Sequence, residues 1–214
     1  MTTTPSTVKP NTSPSDKPRP VKQRGILFSA PMVHALSMDF KTQTRRLDTS
    51  PNAKLDIGDI IYVREAWRAA AFLDHVRPTN LSNAIPISFE ADKIHSGIDS
   101  AGRGTKCEDG KLRPGMFLPK IRSRYFLEVT EKRFQHVQEI INFDAVAEGI
   151  EQKGTEYLFK NYTPAPYYPD YFDNPISSFE SLWNSLHGDK VGESWSDNPR
   201  VVAITFKRIP ADQV

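Results

Sequence analysis

Residues 40–46 read Phe-Lys-Thr-Gln-Thr-Arg-Arg, and this segment is the most informative stretch of the 214-residue chain. It brings one amine, two hydroxyls and two guanidiniums together within seven residues. Lys41 and Thr44 are three positions apart, so one helical turn or a tight loop would put both on the same side. A desolvated lysine beside a hydroxyl can perform acid–base or acyl chemistry, and the arginines offer forked donors for phosphate or a base edge. The alternative is a basic surface turn that only caps a helix.

Apolar runs on both sides of this segment predict short strands with a few interspersed helices. The predicted strands are residues 26–28, 60–64, 87–90, 125–129 and 201–206, and the predicted helices are residues 32–38, 142–149 and 177–186. The order of these elements lacks a βαβ rhythm. It therefore favours an α+β domain built on a small β-barrel with flanking helices.

Residues 1–24 differ in composition from the rest of the chain. They are Ser, Thr, Pro, Lys and Arg with almost no apolar side chains. Such a segment cannot bury enough surface to offset its ordering entropy, so we predict a disordered basic tail. Order is expected from Gly25, with one domain over residues 25–210.

Bulk properties exclude several classes of protein. A net charge of +2 is too mild to indicate nucleic-acid binding without a local patch. Cys107 is the only cysteine and the histidines lack metal-ligand spacing, so we predict no disulfide and no metal site. No apolar run approaches the roughly 20 residues that span a bilayer, and the first residues lack a secretory apolar region. We expect a cytoplasmic protein without a membrane partner.

The order of the motifs along the chain resembles the ASCH domain of the PUA-like superfamily. The shared features are Lys-Thr-Gln-Thr-Arg at 41–45, Gly-Asp at 58–59 before a strand, Ala-Val-Ala-Glu-Gly at 145–149 and a terminal strand. Further stretches, at 63–67, 113–120, 179–183 and 195–199, look like a phage and prophage branch of that family. The resemblance covers residues 25–208 and leaves the tail unexplained.

The resemblance implies a PUA-like barrel whose cleft is associated with RNA or modified nucleosides. Some small bacterial members are amidohydrolases that remove the acyl group from N4-acetylcytidine, and for this chain we expect such hydrolysis with no metal and no organic cofactor. Their catalytic lysine, threonine and glutamate match Lys41, Thr44 and Glu148. This chain is about twice as long, with insertions near residues 70–115 and 151–175 that would narrow the cleft or reshape it for a polymer.

These residues suit the parts that amide hydrolysis requires. Lys41 would be the base, Thr44 the nucleophile or the group that positions a water, and Glu148 the group that holds the exocyclic amine. The substrate-binding candidates are Thr42, Arg45, Arg64, Glu65 and Trp67. The structural alternatives are a Lys41–Glu148 ion pair, a helix cap at Thr44 and core packing of Trp67.

Arg122 and Arg124 alternate along the start of a predicted strand. They would face one way and could track phosphates, or they could form a solvated strand face.

The leading function is hydrolysis of N4-acylated cytosine nucleosides, and the alternative is an RNA- or modified-base-binding module without catalysis. A third possibility is a phage accessory protein that acts through partner contacts.

Overall fold

The computed structural model describes residues 19–92, 95–96, 110–163 and 169–214. Residues 1–18 of the predicted tail, Cys107 and parts of both predicted insertions lie outside the described residues. In chain order the elements are β1 (Gln23–Leu27), α1 (Ala30–Ser37), β2 (Gln43–Leu47), β3 (Ile60–Arg64), β4 (Trp67–Arg68), β5 (Ile87–Phe89), β6 (His95–Ser96), β7 (Phe126–His136), α2 (Asn142–Ala147), β8 (Phe159–Lys160), β9 (Tyr171–Phe172), α3 (Pro175–His187) and β10 (Arg200–Ile209).

Five strands form the main sheet in the order β1-β3-β7-β10-β2. β1 runs parallel to β3, and the other neighbouring pairs are antiparallel. The long β7–β10 pairing shifts register between Thr205 and Phe206, and such a bulge bends the strands locally. β1 and β2 are the outer strands of this order, and Arg46 Nη2 on β2 donates to the Leu27 carbonyl on β1 at 2.9 Å. The two edges of the sheet therefore approach each other at this point.

Apolar side chains on the two faces of β10 pack into separate clusters. Val202, Ile204 and Phe206 join side chains of β1, α1, β3 and β7 in the first cluster. Val201 faces the other way and packs with side chains of α3 in the second. Full burial of a Val, Ile or Phe side chain contributes about 1.5–3 kcal/mol. Burial on both faces of β10 therefore fixes its register with β2.

A third apolar cluster lies apart from the main sheet. It joins β4, β5 and the segment before β7, and its members are Trp67, Ala69, Ile87, Phe89 and Leu118. The strands β4, β5 and β6 form a separate three-stranded sheet around it, and β8 pairs with β9 as a two-stranded sheet. The described parts of the predicted insertions therefore carry short strands of their own.

The α+β class predicted from the sequence is confirmed. The prediction of a helical turn or tight loop at residues 40–46 is wrong, because residues 43–47 form β2 and pair with β10. β1 begins at Gln23, two residues before Gly25, and the Lys22 backbone N–H and the Arg19 guanidinium both bind the Asp59 carboxylate. No described helix is long and apolar enough to cross a membrane.

Candidate functional site

A cavity of about 560 Å³ lies between the edge strands β1 and β2. Its walls come from β1, the start of α1, β2, the residue after α2 and the inward side of α3. Pockets for small ligands typically measure 300–1,000 Å³, so the cavity has room for a molecule of nucleoside size. It contains the three predicted catalytic residues, Lys41, Thr44 and Glu148.

Lys41 is buried at the entrance to β2, with 3% of its surface exposed. Its Nζ donates to the Glu148 carbonyl at 2.6 Å, to the Gln43 carbonyl at 2.9 Å and to Glu148 Oε2 at 3.3 Å. Burial lowers the pKa of Lys41 to about 8, although the Glu148 carboxylate opposes the shift; nearby Arg46 and Arg45 lower it further. The amine is therefore much easier to deprotonate than a surface lysine, which is the property that a general base requires.

Thr44 lines the same cavity, and its buried hydroxyl has no hydrogen-bond partner among the described residues. Thr44 is 1% exposed and pairs with Ile204 on β10, so its side chain lies on the face of the sheet that carries the first apolar cluster. A buried hydroxyl without a partner costs about 1–3 kcal/mol, and native proteins rarely retain one without a reason. An attacking or water-holding role supplies such a reason.

Arg45 joins the two acidic residues of the α2 region. Its Nη1 donates to Glu148 Oε1 at 3.0 Å and its Nη2 to Asp144 Oδ2 at 2.7 Å. Asp144 also accepts two bonds of 3.1 Å from Arg133 on β7. Arg45 and Arg133 both pair across the sheet with Ala203, whose small side chain leaves space for the two guanidiniums to converge. This network holds Glu148 against Lys41.

Gly149 allows the close approach of α2 to Lys41. It has a φ of +80°, which favours glycine. A Cβ at this position would lie 2.8 Å from the Lys41 Cβ and 2.9 Å from the Ala35 Cβ. Both the backbone conformation and the lack of a side chain are therefore needed to bring the Glu148 carbonyl to Lys41 Nζ.

Four of the five predicted substrate-binding residues do not line this cavity. Thr42 is exposed, and its backbone pairs with Ala147 and Phe206. Arg64 binds the Met116 carbonyl and the Tyr62 hydroxyl, and Trp67 is a core residue of the third cluster. Glu65 is buried against Arg124; burial raises the pKa of its carboxyl, and the bonds from Arg124 oppose this. Of the five predicted substrate-binding residues, only Arg45 lines the cavity.

The prediction that Arg122 and Arg124 face one way along a strand is wrong, because both precede β7 and Arg122 ends a 3₁₀ helix. Arg124 donates two bonds to Glu65, at 3.0 and 2.7 Å, and one to Asp92 at 2.8 Å. Arg122 donates to the Ser82 carbonyl at 2.8 Å. Arg124 therefore acts in the structure as the partner of two carboxylates.

Sequence reasoning missed several members of the site. Asp144 and Gln43 orient Arg45, and Phe28 and Trp183 contribute aromatic walls. Arg46 lines the cavity beside Arg45, and burial lowers the pKa of its guanidinium while Glu148 opposes the shift. Asp144 carried a usable signal, because it lies one helical turn before Glu148 and shares its side of the helix. The aromatic residues gave none, since the apolar run at 26–28 and the helical spacing around Trp183 equally predict core positions.

Among residues 19–92, 95–96, 110–163 and 169–214, no group of three or more His, Cys, Asp or Glu side chains is placed to hold a metal ion. Comparison of the chain with protein-family models, with curated proteins and with solved structures gave no match. The resemblance to the ASCH family therefore stays a prediction.

Proposed function

We propose that this cavity hydrolyses the amide bond of N4-acylated cytosine nucleosides, with Lys41, Thr44 and Glu148 as its catalytic residues. One observation carries the proposal: a buried lysine with a pKa lowered to about 8 lines the same cavity as Thr44, whose buried hydroxyl no described residue binds. Structural ion pairs explain buried lysines, but they do not explain an unpartnered hydroxyl in the same cavity.

The first step is attack on the acyl carbon. Neutral Lys41 takes the proton of the Thr44 hydroxyl, or of a water that Thr44 holds, and the oxygen forms a bond to the acyl carbon. Thr44 Oγ1 has no bond to Lys41 Nζ in the structure, so this proton passes after a side-chain rotation or through water. The carbonyl oxygen then carries a negative charge, and Arg45 and Arg46, which both line the cavity, supply the positive charge that stabilises it.

The second step releases the amine. The bond between the acyl carbon and the exocyclic nitrogen breaks, and the nitrogen receives the proton that Lys41 accepted. Glu148 accepts a hydrogen bond from the exocyclic amine and conveys the proton, since its Oε2 lies 3.3 Å from Lys41 Nζ. If Thr44 was the attacking group, water cleaves the resulting ester and restores the hydroxyl.

The fold that we propose for this site is a PUA-like barrel of the ASCH type. Support comes from the curvature at the β10 bulge and from the Arg46–Leu27 hydrogen bond, which joins the two outer strands of the sheet. The motif at 41–45 leads into β2, one of these strands, and the Ala-x-x-Glu motif spans the end of α2; residues of both motifs line the one cavity.

Absorbance-monitored hydrolysis of N4-acetylcytidine tests this proposal. We expect turnover by the wild type and a loss of at least about 100-fold in Glu148→Gln, because positioned acid–base groups contribute 10²–10⁴-fold. Glu156→Gln is the matched control, since Glu156 is exposed and pairs only with Lys153 among the described side chains. Full activity in Glu148→Gln, or no turnover by a folded wild type, contradicts the proposal.

The second candidate function is binding of RNA or a modified base without catalysis. It is favoured by the three acceptors around Lys41 Nζ, which match the three donors of a charged ammonium. A lysine held in this way supports a pocket without releasing its proton. An affinity for RNA that falls steeply with salt, together with no hydrolysis of N4-acetylcytidine by the protein, would favour this function over hydrolysis.

A further inference from the structure

The charges that line the cavity are strongly unbalanced. Five cationic side chains contribute to its wall, those of Arg24, Lys41, Arg45, Arg46 and Lys190, against the single carboxylate of Glu148. An isolated nucleoside offers no negative charge to balance them. The composition of the wall therefore bears on which form of the substrate the site accepts.

Three of the five cations have carboxylate partners. Arg45 pairs with Asp144 and Glu148, Lys41 pairs with Glu148, and Lys190 pairs with Glu193 at 3.4 Å. Arg24 and Arg46 have no carboxylate partner within the part of the chain that the structure describes. The excess positive charge is therefore localised at these two arginines.

Arg46 lies on the wall formed by β2. Its two terminal nitrogens donate only to backbone carbonyls, those of Arg45 at 3.0 Å and Leu27 at 2.9 Å. These bonds fix the plane of the guanidinium and leave it donors directed elsewhere, because a guanidinium carries five N–H groups. A fixed, forked cation of this kind suits the oxygens of a phosphate.

Arg24 lies across the gap, on β1. It pairs with Ile61 as Ile26 pairs with Val63, so Arg24 and Ile26 share one face of the strand. Ile26 belongs to the first apolar cluster, and Arg24 therefore points towards the interior side of the sheet, at the rim of the cavity. It is partly buried, and its side chain makes no hydrogen bond or ion pair with any described residue.

Phe28 relates the position of Arg46 to that of the catalytic lysine. The Lys41 Nζ lies 5.1 Å from the centre of the Phe28 ring, and the Arg46 guanidinium carbon lies 5.7 Å from the same centre. The amine and the guanidinium thus border one aromatic ring. A base beside Lys41 would leave its attached sugar and phosphate within reach of Arg46.

We propose that the substrate of this cavity carries a phosphate ester, held between Arg24 and Arg46, next to the acylated base at Lys41 and Thr44. This inference rests on the proposed function and narrows its substrate class from nucleosides to nucleotides. The phosphate supplies the charge that the wall lacks, and the two arginines bind it from opposite sides of the gap between β1 and β2.

Isothermal titration calorimetry with cytidine, cytidine 5′-monophosphate and a cytidine trinucleotide tests the inference. The wild type should bind the monophosphate at least about 10-fold more tightly than cytidine, because hydrogen bonds to charged groups contribute about 1.5–3 kcal/mol and each 1.4 kcal/mol is tenfold. Arg24→Gln should remove most of this preference. It breaks no described bond, so its folding should match the wild type.

Arg77→Gln is the matched control, since it removes the same charge as Arg24→Gln. Arg77 is exposed and lies outside the cavity. Equal affinity for cytidine and its monophosphate in the wild type overturns the inference. So does a preference that survives in both Arg24→Gln and Arg46→Gln. If the trinucleotide binds at least as tightly as the monophosphate, the subsite holds an internal phosphodiester. If the trinucleotide binds more weakly than the monophosphate, the subsite holds a terminal phosphate. Both outcomes support a phosphate subsite.

The same titrations separate this inference from the proposed function. Tighter binding of the monophosphate, with no hydrolysis of N4-acetylcytidine or its 5′-monophosphate, rejects the proposed hydrolysis and supports the phosphate subsite. Hydrolysis of N4-acetylcytidine with equal affinities for cytidine and its monophosphate supports the chemistry and rejects the subsite.

Discussion

Replacing Thr44 with valine separates a catalytic role from a structural one. Valine keeps the β-branched shape that suits β2 and removes only the hydroxyl. That hydroxyl is buried and unpartnered among the described residues, and such a group costs about 1–3 kcal/mol. Because the cavity beside it can admit water, we take the lower end: Thr44→Val should raise the free energy of unfolding by about 1 kcal/mol. For a chain of this size that is a rise in Tm of about 2–4 °C.

The same substitution should abolish hydrolysis. Loss of the nucleophile or of the group that holds the water should lower kcat for N4-acetylcytidine by at least about 100-fold, so activity and stability should move in opposite directions. Thr205→Val is the matched control, because Thr205 accepts a bond from Gln43 Nε2 at 3.2 Å and losing it should lower the free energy of unfolding by about 1 kcal/mol. The measurements are urea unfolding and absorbance-monitored turnover. Thr44→Val that is as destabilised as Thr205→Val, or that retains full activity, refutes the reasoning.

Three further predictions concern the same cavity. Burial lowers the pKa of Lys41 from 10.5 to about 8, so the unfolded chain binds more protons than the folded one between these two pH values. The free energy of unfolding should therefore rise with pH across this window, by about 3 kcal/mol in total. Urea unfolding of Lys41→Met should lack that rise. Glu148→Gln should lower the Lys41 pKa further, because the Glu148 carboxylate raises it. The same substitution leaves Arg45 with one carboxylate partner and should lower the free energy of unfolding in urea by about 3 kcal/mol. An unchanged free energy of unfolding would contradict a stabilising role for the buried pair. Gly149→Ala should reduce stability by more than Gly192→Ala, which has a similar φ of +79° but open space around its Cβ, and equal losses would show that contact with Lys41 is unimportant.

Local patterns in the sequence were enough to predict most of the elements. β3 spans the predicted residues 60–64, and α3 extends the predicted helix by two residues at its start and one at its end, because its apolar spacing and the Asn174 cap agree. The helix predicted at 142–149 is α2, and Gly149 follows it in a left-handed conformation with a φ of +80°. These features depend on interactions between near neighbours, which the sequence displays directly.

The errors arose where distant pairing decided the structure. Residues 43–47 are rich in polar side chains and show no alternation, yet they form a strand because β10 supplies the backbone partners and α2 supplies the carboxylates. Arg64, Glu65 and Trp67 lie close together in the chain, but they contact Met116 and Tyr62, Arg124 and the third apolar cluster respectively, and none of the three lines the cavity. A single sequence does not show which carboxylate a given arginine will meet.

The most direct test of the central claim is the pH dependence of kcat/KM for N4-acetylcytidine with wild type and Lys41→Ala. We predict activity that rises with pH to a plateau, with an apparent pKa near 8 that reports the free Lys41 amine, and loss of at least about 100-fold in Lys41→Ala. Turnover by Lys41→Ala at the wild-type rate, with the same pH profile, would contradict a catalytic role for the buried lysine.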